Sequence, residues 1–396
     1  MSEKPFKLKT IFRDEEIKQG LYRFLNLLGR KRFDERVKAL RAATMSRPMS
    51  GRLLAEAFIV ERGLAEIAGY IGGRSSDRVK KLPAASRALA ETAIVAADFA
   101  AVLPPEMRAV FAADLQDALE GERTLLPEWH FVNTLAWFAR NGCRFHLRDD
   151  ADAPLMAEIA ETETAILPVA LDADAGRRVG RRAWFALADL LAPLLPLATA
   201  DAAGARLIAI EFDIEPPEDL SAVVESVRAA LNSNSDSSGE GWQVHIESVE
   251  DVKTGMPTED VLKALGKSIR PGAHYAITEG EQGLLAIAAW SKTLDDVPAT
   301  LCRQLEELIE TTGPTIVAAF IEEVSPEEWQ RLTEAPGFRA ALMEILTARP
   351  DVAGLRLAHQ GHLFTAPGRP PFGDVPMQLW NPADDRVTQV MRAALG

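Results

Sequence analysis

The sequence predicts a mixed α/β (α+β) protein with a helical N-terminal region, a small α/β core and a C-terminal mixed α/β domain. Three observations carry that expectation. Apolar residues recur at helical spacing through the first 140 or so positions, and no strand-like alternation appears before about residue 143. Beyond about residue 205, period-2 alternation and short apolar runs bounded by turn residues take over. A chain of 396 residues, 47% hydrophobic and 26% charged, is globular in composition and too long for one ordinary core. The expected divisions are residues 1–128, 129–200 and 205–396.

In the first segment, Ile17, Leu21, Phe24 and Leu28 fall on one helical face, as do Leu53, Ala57, Val60, Leu64 and Ile67. An alanine-rich helix is expected over 84–101, ending before Pro104-Pro105, and another over 107–119. In the second, Phe131, Leu135 and Phe138 make a helical stripe that Gly142 should close. Short strands are expected over 143–147 and 164–171, then a helix from about Arg177 to Leu195. In the third, Leu207–Phe212 and Trp242–Ser248 read as strands, and 274–278 with 284–290 as a hairpin. Residues 315–321 form a further strand, and 354–359 with 362–365 a last pair. Helices are expected over 220–231, 258–268, 298–312 and 326–348, the last opened by a Ser325/Glu328 capping box. Residues 232–241, rich in serine and asparagine, read as a mobile loop.

The net charge of −14 is unevenly spread. Residues 1–200 hold 29 Lys+Arg and 27 Asp+Glu, whereas 201–396 hold 15 and 31. An acidic half repels phosphate, so any nucleic-acid contact belongs to the N-terminal half, and the acidic half is expected to meet a protein partner. Two distant cysteines, Cys143 and Cys302, suit a reducing cytoplasm and exclude a cysteine-built zinc site. The N-terminus lacks an apolar signal-peptide stretch. Asp189, Pro193 and Pro196 interrupt the most apolar segment, 183–200, so no membrane partner is expected.

Residues 133–195 resemble the core of the PD-(D/E)xK, or restriction-endonuclease-like, nucleases. The parallels are Gly142-Cys-Arg-Phe-His-Leu147, Pro154, the strand 164–170, and Asp174-Ala-Gly176-Arg177 followed by Val179 and Arg181-Arg182. In such nucleases carboxylates hold Mg²⁺ and a lysine serves the attacking water. Aligned in this way, Leu155 stands where the metal-binding Asp belongs, and Leu167 and Val169 stand at the E-x-K positions. The resemblance therefore implies a nuclease scaffold emptied of its chemistry, with no metal and no cofactor, in nucleic-acid processing or defence. Arg177, Arg178, Arg181 and Arg182, on one side of the expected helix start, would be its phosphate-binding patch.

Other strings carry less. Gly266-Lys-Ser268 lacks the upstream glycine of a phosphate loop, since Val261 stands there. Arg140 and His146 are separated by Gly142, which should leave the histidine on a strand. His359 and His362 lack a third metal ligand nearby in sequence. Asp251-Val-Lys253 together with Asp213 could form a metal-dependent site in the C-terminal half. Three readings follow: a binding or scaffold protein with a degenerate nuclease-like core; an active metal-dependent nuclease using Asp213, Asp251 and Lys253; and a structural or interaction protein without nucleic-acid contact.

Overall fold

The computed structural model describes residues 5–46, 54–55, 57–72, 77–121, 123–147, 155–159, 161–194, 204–249, 256, 258–265, 269–270, 273–279, 283–310, 313–364, 376–382 and 386–395. In chain order the elements are α1 (Asp14–Leu27), α2 (Arg30–Ser46), α3 (Ile59–Ile71), α4 (Asp77–Lys80), α5 (Ala84–Val102), α6 (Pro105–Asp117) and α7 (Leu126–Arg140). Then come β1 (Arg144–His146), β2 (Leu155–Ile159), β3 (Thr162–Asp172), α8 (Arg181–Leu191), β4 (Gly204–Phe212), α9 (Ser221–Ser233), β5 (Ser237–Gly239) and β6 (Trp242–Val249). The rest are α10 (Thr258–Leu265), β7 (His274–Glu279), β8 (Gly283–Ser291), α11 (Val297–Leu308), β9 (Thr315–Glu322), α12 (Pro326–Glu334), α13 (Pro336–Ala348), β10 (Val352–His359), β11 (Met377–Trp380) and α14 (Arg386–Leu395). The fold is mixed α/β. No described helix is long and apolar enough to cross a membrane.

The chain folds as two compact units that do not follow the three expected segments. One comprises Met1–Leu40, Ala57–Ala173 and Pro298–Gly396, the other Arg41–Glu56 and Asp174–Val297. The reason is strand pairing. The six-stranded sheet runs β1-β2-β3-β9-β10-β11 and so takes strands from both the second and the third expected segment.

In the first unit, β3, β9 and β10 pair in parallel and the outer strands pair antiparallel. β10 is buried along its whole length, and β9 nearly so, as interior parallel strands are when covered on both faces. α7 lies on one face, where Phe145, Ala157, Ile166, Ile316 and Phe320 join the core of the helical region. On the opposite face Trp329 of α12 stacks on His359. At the centre of the helical layer, α5 is buried almost all round. Two glycines let neighbouring helices reach it: a Cβ on Gly20 would come within 2.4 Å of Ile94, and one on Gly63 within 2.5 Å of Leu89. α7 ends where expected, with Gly142 at φ +82°.

Two expectations are corrected here, and one holds. The helix expected over 326–348 is two helices, because Pro336 has no N–H to continue α12 and instead opens α13. The Ser325/Glu328 capping box does open α12, with both reciprocal hydrogen bonds formed. β10 pairs with β11; of its expected partner strand, residues 362–364 lie in a 3₁₀ turn and Thr365 lies outside the described residues. Asn381 fixes this arrangement, donating its side-chain N–H groups to the carbonyls of Leu346, Arg349 and Val352.

In the second unit a five-stranded sheet runs β5-β6-β4-β8-β7, with β4 and β8 parallel and the other pairs antiparallel. α8 and α9 cover the face that carries Ile208, Ile210, Phe212, Val244, Leu285 and Ile287. α10 covers the other through Val261 and Leu265. The expected hairpin is β7–β8. The segment read as a mobile loop instead continues α9 to Ser233 and then supplies β5.

Candidate functional site

Leu155, Leu167 and Val169 do not gather at one point. Leu155 lies directly opposite Ile166 in the β2–β3 ladder, and residues facing each other across antiparallel strands point to the same side. Ile166 belongs to the core beneath α7, and Leu155 packs against that core. Leu167 and Val169 alternate with Ile166 along β3, which puts them on the opposite face. A cation placed between the three positions would have a β-sheet across it. The expectation that they surround one emptied metal position is corrected by this register. Pro154 lies outside the described residues.

The arginine row is also broken. The helix starts at Arg181, four residues later than expected, because Asp174 holds the approach to it. Its Oδ1 accepts from Arg177 Nη1 at 2.9 Å and from the Arg181 backbone N–H at 2.7 Å. Gly180 leaves room for this carboxylate, since a Cβ there would sit 2.8 Å from Asp174 Oδ2. Arg177 is therefore withdrawn, with its side chain 3% exposed in an ion pair with Asp174. Arg181 lies over the Phe185 ring. Arg178 and Arg182 are exposed.

The ends of the parallel strands β4 and β8 bring acids and bases of the second unit together. Glu211 and Trp290 are register partners, and the indole N–H donates to Glu211 Oε2 at 2.8 Å. Arg270 reaches the same oxygen at 2.9 Å while lying over the Trp290 ring. Lys292 bridges to Asp213 at 2.7 Å and to Glu211 at 3.7 Å. The Asp213 carboxylate raises the Lys292 ammonium above the usual lysine range, so this lysine stays protonated and is no proton acceptor. Two carboxylates are met by two cations. Of the site expected from sequence, Asp213 is placed here, whereas Asp251 and Lys253 lie outside the described residues.

Sequence reading passed over Glu211, Lys292, Arg270 and Trp290. The available signal was an acid in the apolar run Leu207–Phe212, a position that buries a charge unless a partner arrives from the next strand. The loops that follow β4 and β8 are tied together: Thr293 Oγ1 donates to the Asp213 carbonyl, and Ser291 Oγ to that of Ile214. They present two aliphatic side chains, Ile214 at 58% and Leu294 at 88% exposure.

His359 and His362 are packing residues, their rings 4.4 Å apart and both against Trp329. His362 Nδ1 accepts the His359 backbone N–H. Burial pushes the thiols of Cys143 and Cys302 up to about 11, away from thiolate chemistry. Among the described residues, no three His, Cys, Asp or Glu side chains gather as a metal cage. No protein-family model matches the chain, and neither a curated protein nor a solved structure is significantly similar to it.

Proposed function

We propose that the chain works by binding, as a scaffold or interaction protein, rather than by metal-dependent catalysis. The observation that supports this reading is the closed ion-pair cluster at the ends of β4 and β8. Glu211 and Asp213 spend their charge on Arg270 and Lys292, and the lysine is held protonated. A divalent cation would have to displace two ammonium or guanidinium partners to reach these oxygens. On the loops that follow β4 and β8, beside the cluster, Ile214 and Leu294 expose aliphatic side chains, the kind of group a protein contact buries.

The test is direct. The full chain is incubated with single- and double-stranded DNA and RNA in Mg²⁺ or Mn²⁺, beside an Asp213→Asn variant. No cleavage above that of the variant is expected. Metal-dependent cleavage that disappears in Asp213→Asn would overturn the reading. The interaction surface is tested by proximity cross-linking in native extract, where Ile214→Glu with Leu294→Glu should abolish the cross-linked species of the unaltered chain while leaving its circular dichroism unchanged.

A further inference from the structure

Among the described residues, the interior of the first unit contains positive charge without an acid paired to it. Arg356 stands mid-strand on β10, opposite Ala318 of β9 and Gln378 of β11, on the face that carries α7. It is 5% exposed. Its guanidinium carbon lies 4.9 Å from the centre of the Trp137 ring, and its buried Nε and Nη1 have no hydrogen-bond partner. A guanidinium lying flat on an indole directs its N–H groups outward in its own plane.

Arg140, three residues beyond Trp137 on α7, adds a second cation whose Nε is likewise buried and unpartnered. Burial, and then repulsion from Arg140, pushes Arg356 down to about 10. On the neighbouring helix α5, Glu91 is the acid whose field acts on Arg140. That carboxylate is already engaged: Arg87 binds it at 3.0 Å and binds Asp14 at 2.9 Å. Among the described residues, neither Arg140 nor Arg356 has a salt bridge.

His130, two turns before Trp137 on the same helix, does not add charge. It hydrogen-bonds the Ala318 carbonyl at 3.0 Å, and burial pushes it down to about 4. The carbonyl end of α7 compensates part of the Arg140 charge. Arg356, in mid-strand, has no such help. A buried cation without a counter-ion is among the costliest arrangements in a protein.

We propose that Arg356 and Arg140 form an oxyanion site that binds a phosphate group, with Trp137 as the platform that orients Arg356. The charge favours phosphate over a carboxylate: two guanidiniums with at least three unpartnered N–H groups match a dianion with several acceptor oxygens, whereas a carboxylate offers two oxygens and one charge. Arg140 is half-buried and is the more exposed of the two arginines. The inference is independent of the ion-pair cluster in the other unit, and catalysis plays no part in it.

Titration calorimetry on the full chain tests it, with inorganic phosphate, glycerol phosphate, acetate and chloride at equal ionic strength. Saturable binding of phosphate is expected, with acetate and chloride giving none. Binding by glycerol phosphate alone also upholds the site and assigns it to the phosphoryl end of a larger molecule. Arg356→Met should abolish binding, and Arg140→Gln should weaken it about tenfold through loss of a charge-assisted hydrogen bond. Absence of saturable binding by either phosphate overturns the proposal, as does binding that survives unchanged in Arg356→Met. If that variant does not fold, unchanged binding in Arg140→Gln has the same force.

Discussion

Glu61 gives the structure its sharpest test in solution. It lies in the first turn of α3 and is completely buried. Oε1 accepts the Leu125 backbone N–H at 3.1 Å, while Oε2 has no partner. The nearest cation, Arg36, spends its guanidinium on the carbonyls of Gly121 and Arg123, each at 2.6 Å. Burial therefore dominates and raises the Glu61 carboxyl from 4.5 to about 7. Between those values the folded chain keeps a proton that the unfolded chain has released, so folding stability falls as pH rises through this window. At roughly 1.4 kcal/mol per pH unit, the loss amounts to about 3 kcal/mol, complete above pH 7. Glu61→Gln preserves the acceptor for Leu125 and cannot ionise. Urea unfolding of both chains between pH 4 and pH 8 should give equal stabilities at the acid end and a variant about 3 kcal/mol more stable at the alkaline end. A difference that does not vary with pH would refute the assignment of a buried, protonated carboxyl. His130 sets up the opposite slope. Its folded value near 4 lies below the usual 6.5, so stability falls as pH drops through that interval, because only the unfolded chain takes up the proton. The two slopes cancel between about pH 4.5 and 6.5, and Glu61→Gln should expose the histidine slope in that window.

Asn381→Ala removes the donors that serve three buried carbonyls, and a loss of about 1–3 kcal/mol is expected, with faster hydrogen exchange along β11. Replacing Leu155 by Asp, Leu167 by Glu and Val169 by Lys together should give no Mn²⁺ binding by calorimetry, since the sheet separates the first position from the other two. Gly176→Ala places a Cβ 2.6 Å from Val297 Cα, backbone that cannot swing aside, and should cost the second unit about 1–3 kcal/mol in thermal unfolding.

Local physics made much of the fold legible. The stripe Ile17, Leu21, Phe24 is the buried face of α1, and the alternation of Trp242, Val244 and Ile246 is the covered face of β6. Both signals depend only on residues a few positions apart. Strand β2 escaped, because Leu155-Met-Ala-Glu-Ile159 does not alternate: Met156 and Ala157 are buried on opposite faces. The break at Pro336 has a local cause, a proline that lacks the N–H needed to continue α12. The candidate sites failed for a different reason. Which face Leu155 occupies is fixed by its register against Ile166, and whether Glu211 is neutralised is fixed by Trp290, Arg270 and Lys292, 59 or more positions away. Neither fact has a local sequence signature.

The largest departure, the two-unit course of the chain, has a physical rationale of its own. β3 and β9 are parallel neighbours with Ala165 opposite Thr315, a pairing that would close a very long loop if the intervening chain were unstructured. Within the second unit, however, the two ends of Asp174–Val297 are fastened together. The Asp296 N–H donates to the Gly176 carbonyl, the Arg178 N–H to Asp295, and Gly176 abuts the Val297 backbone. Once that unit has folded, the loop that β3 and β9 must close shrinks to its neck, which is how a domain can be inserted in the middle of a sheet at small entropic cost. The same course removes the ground for assigning partners by sequence halves. Counted by unit, the chain has 30 Lys+Arg against 37 Asp+Glu in the first and 14 against 21 in the second, a net −7 in each. The contrast between a near-neutral front and an acidic back belongs to the linear sequence and not to the folded units. Recognition of an anion must then come from local arrangements of charge, and the uncompensated pair Arg140 and Arg356 is such an arrangement within a unit that is acidic as a whole.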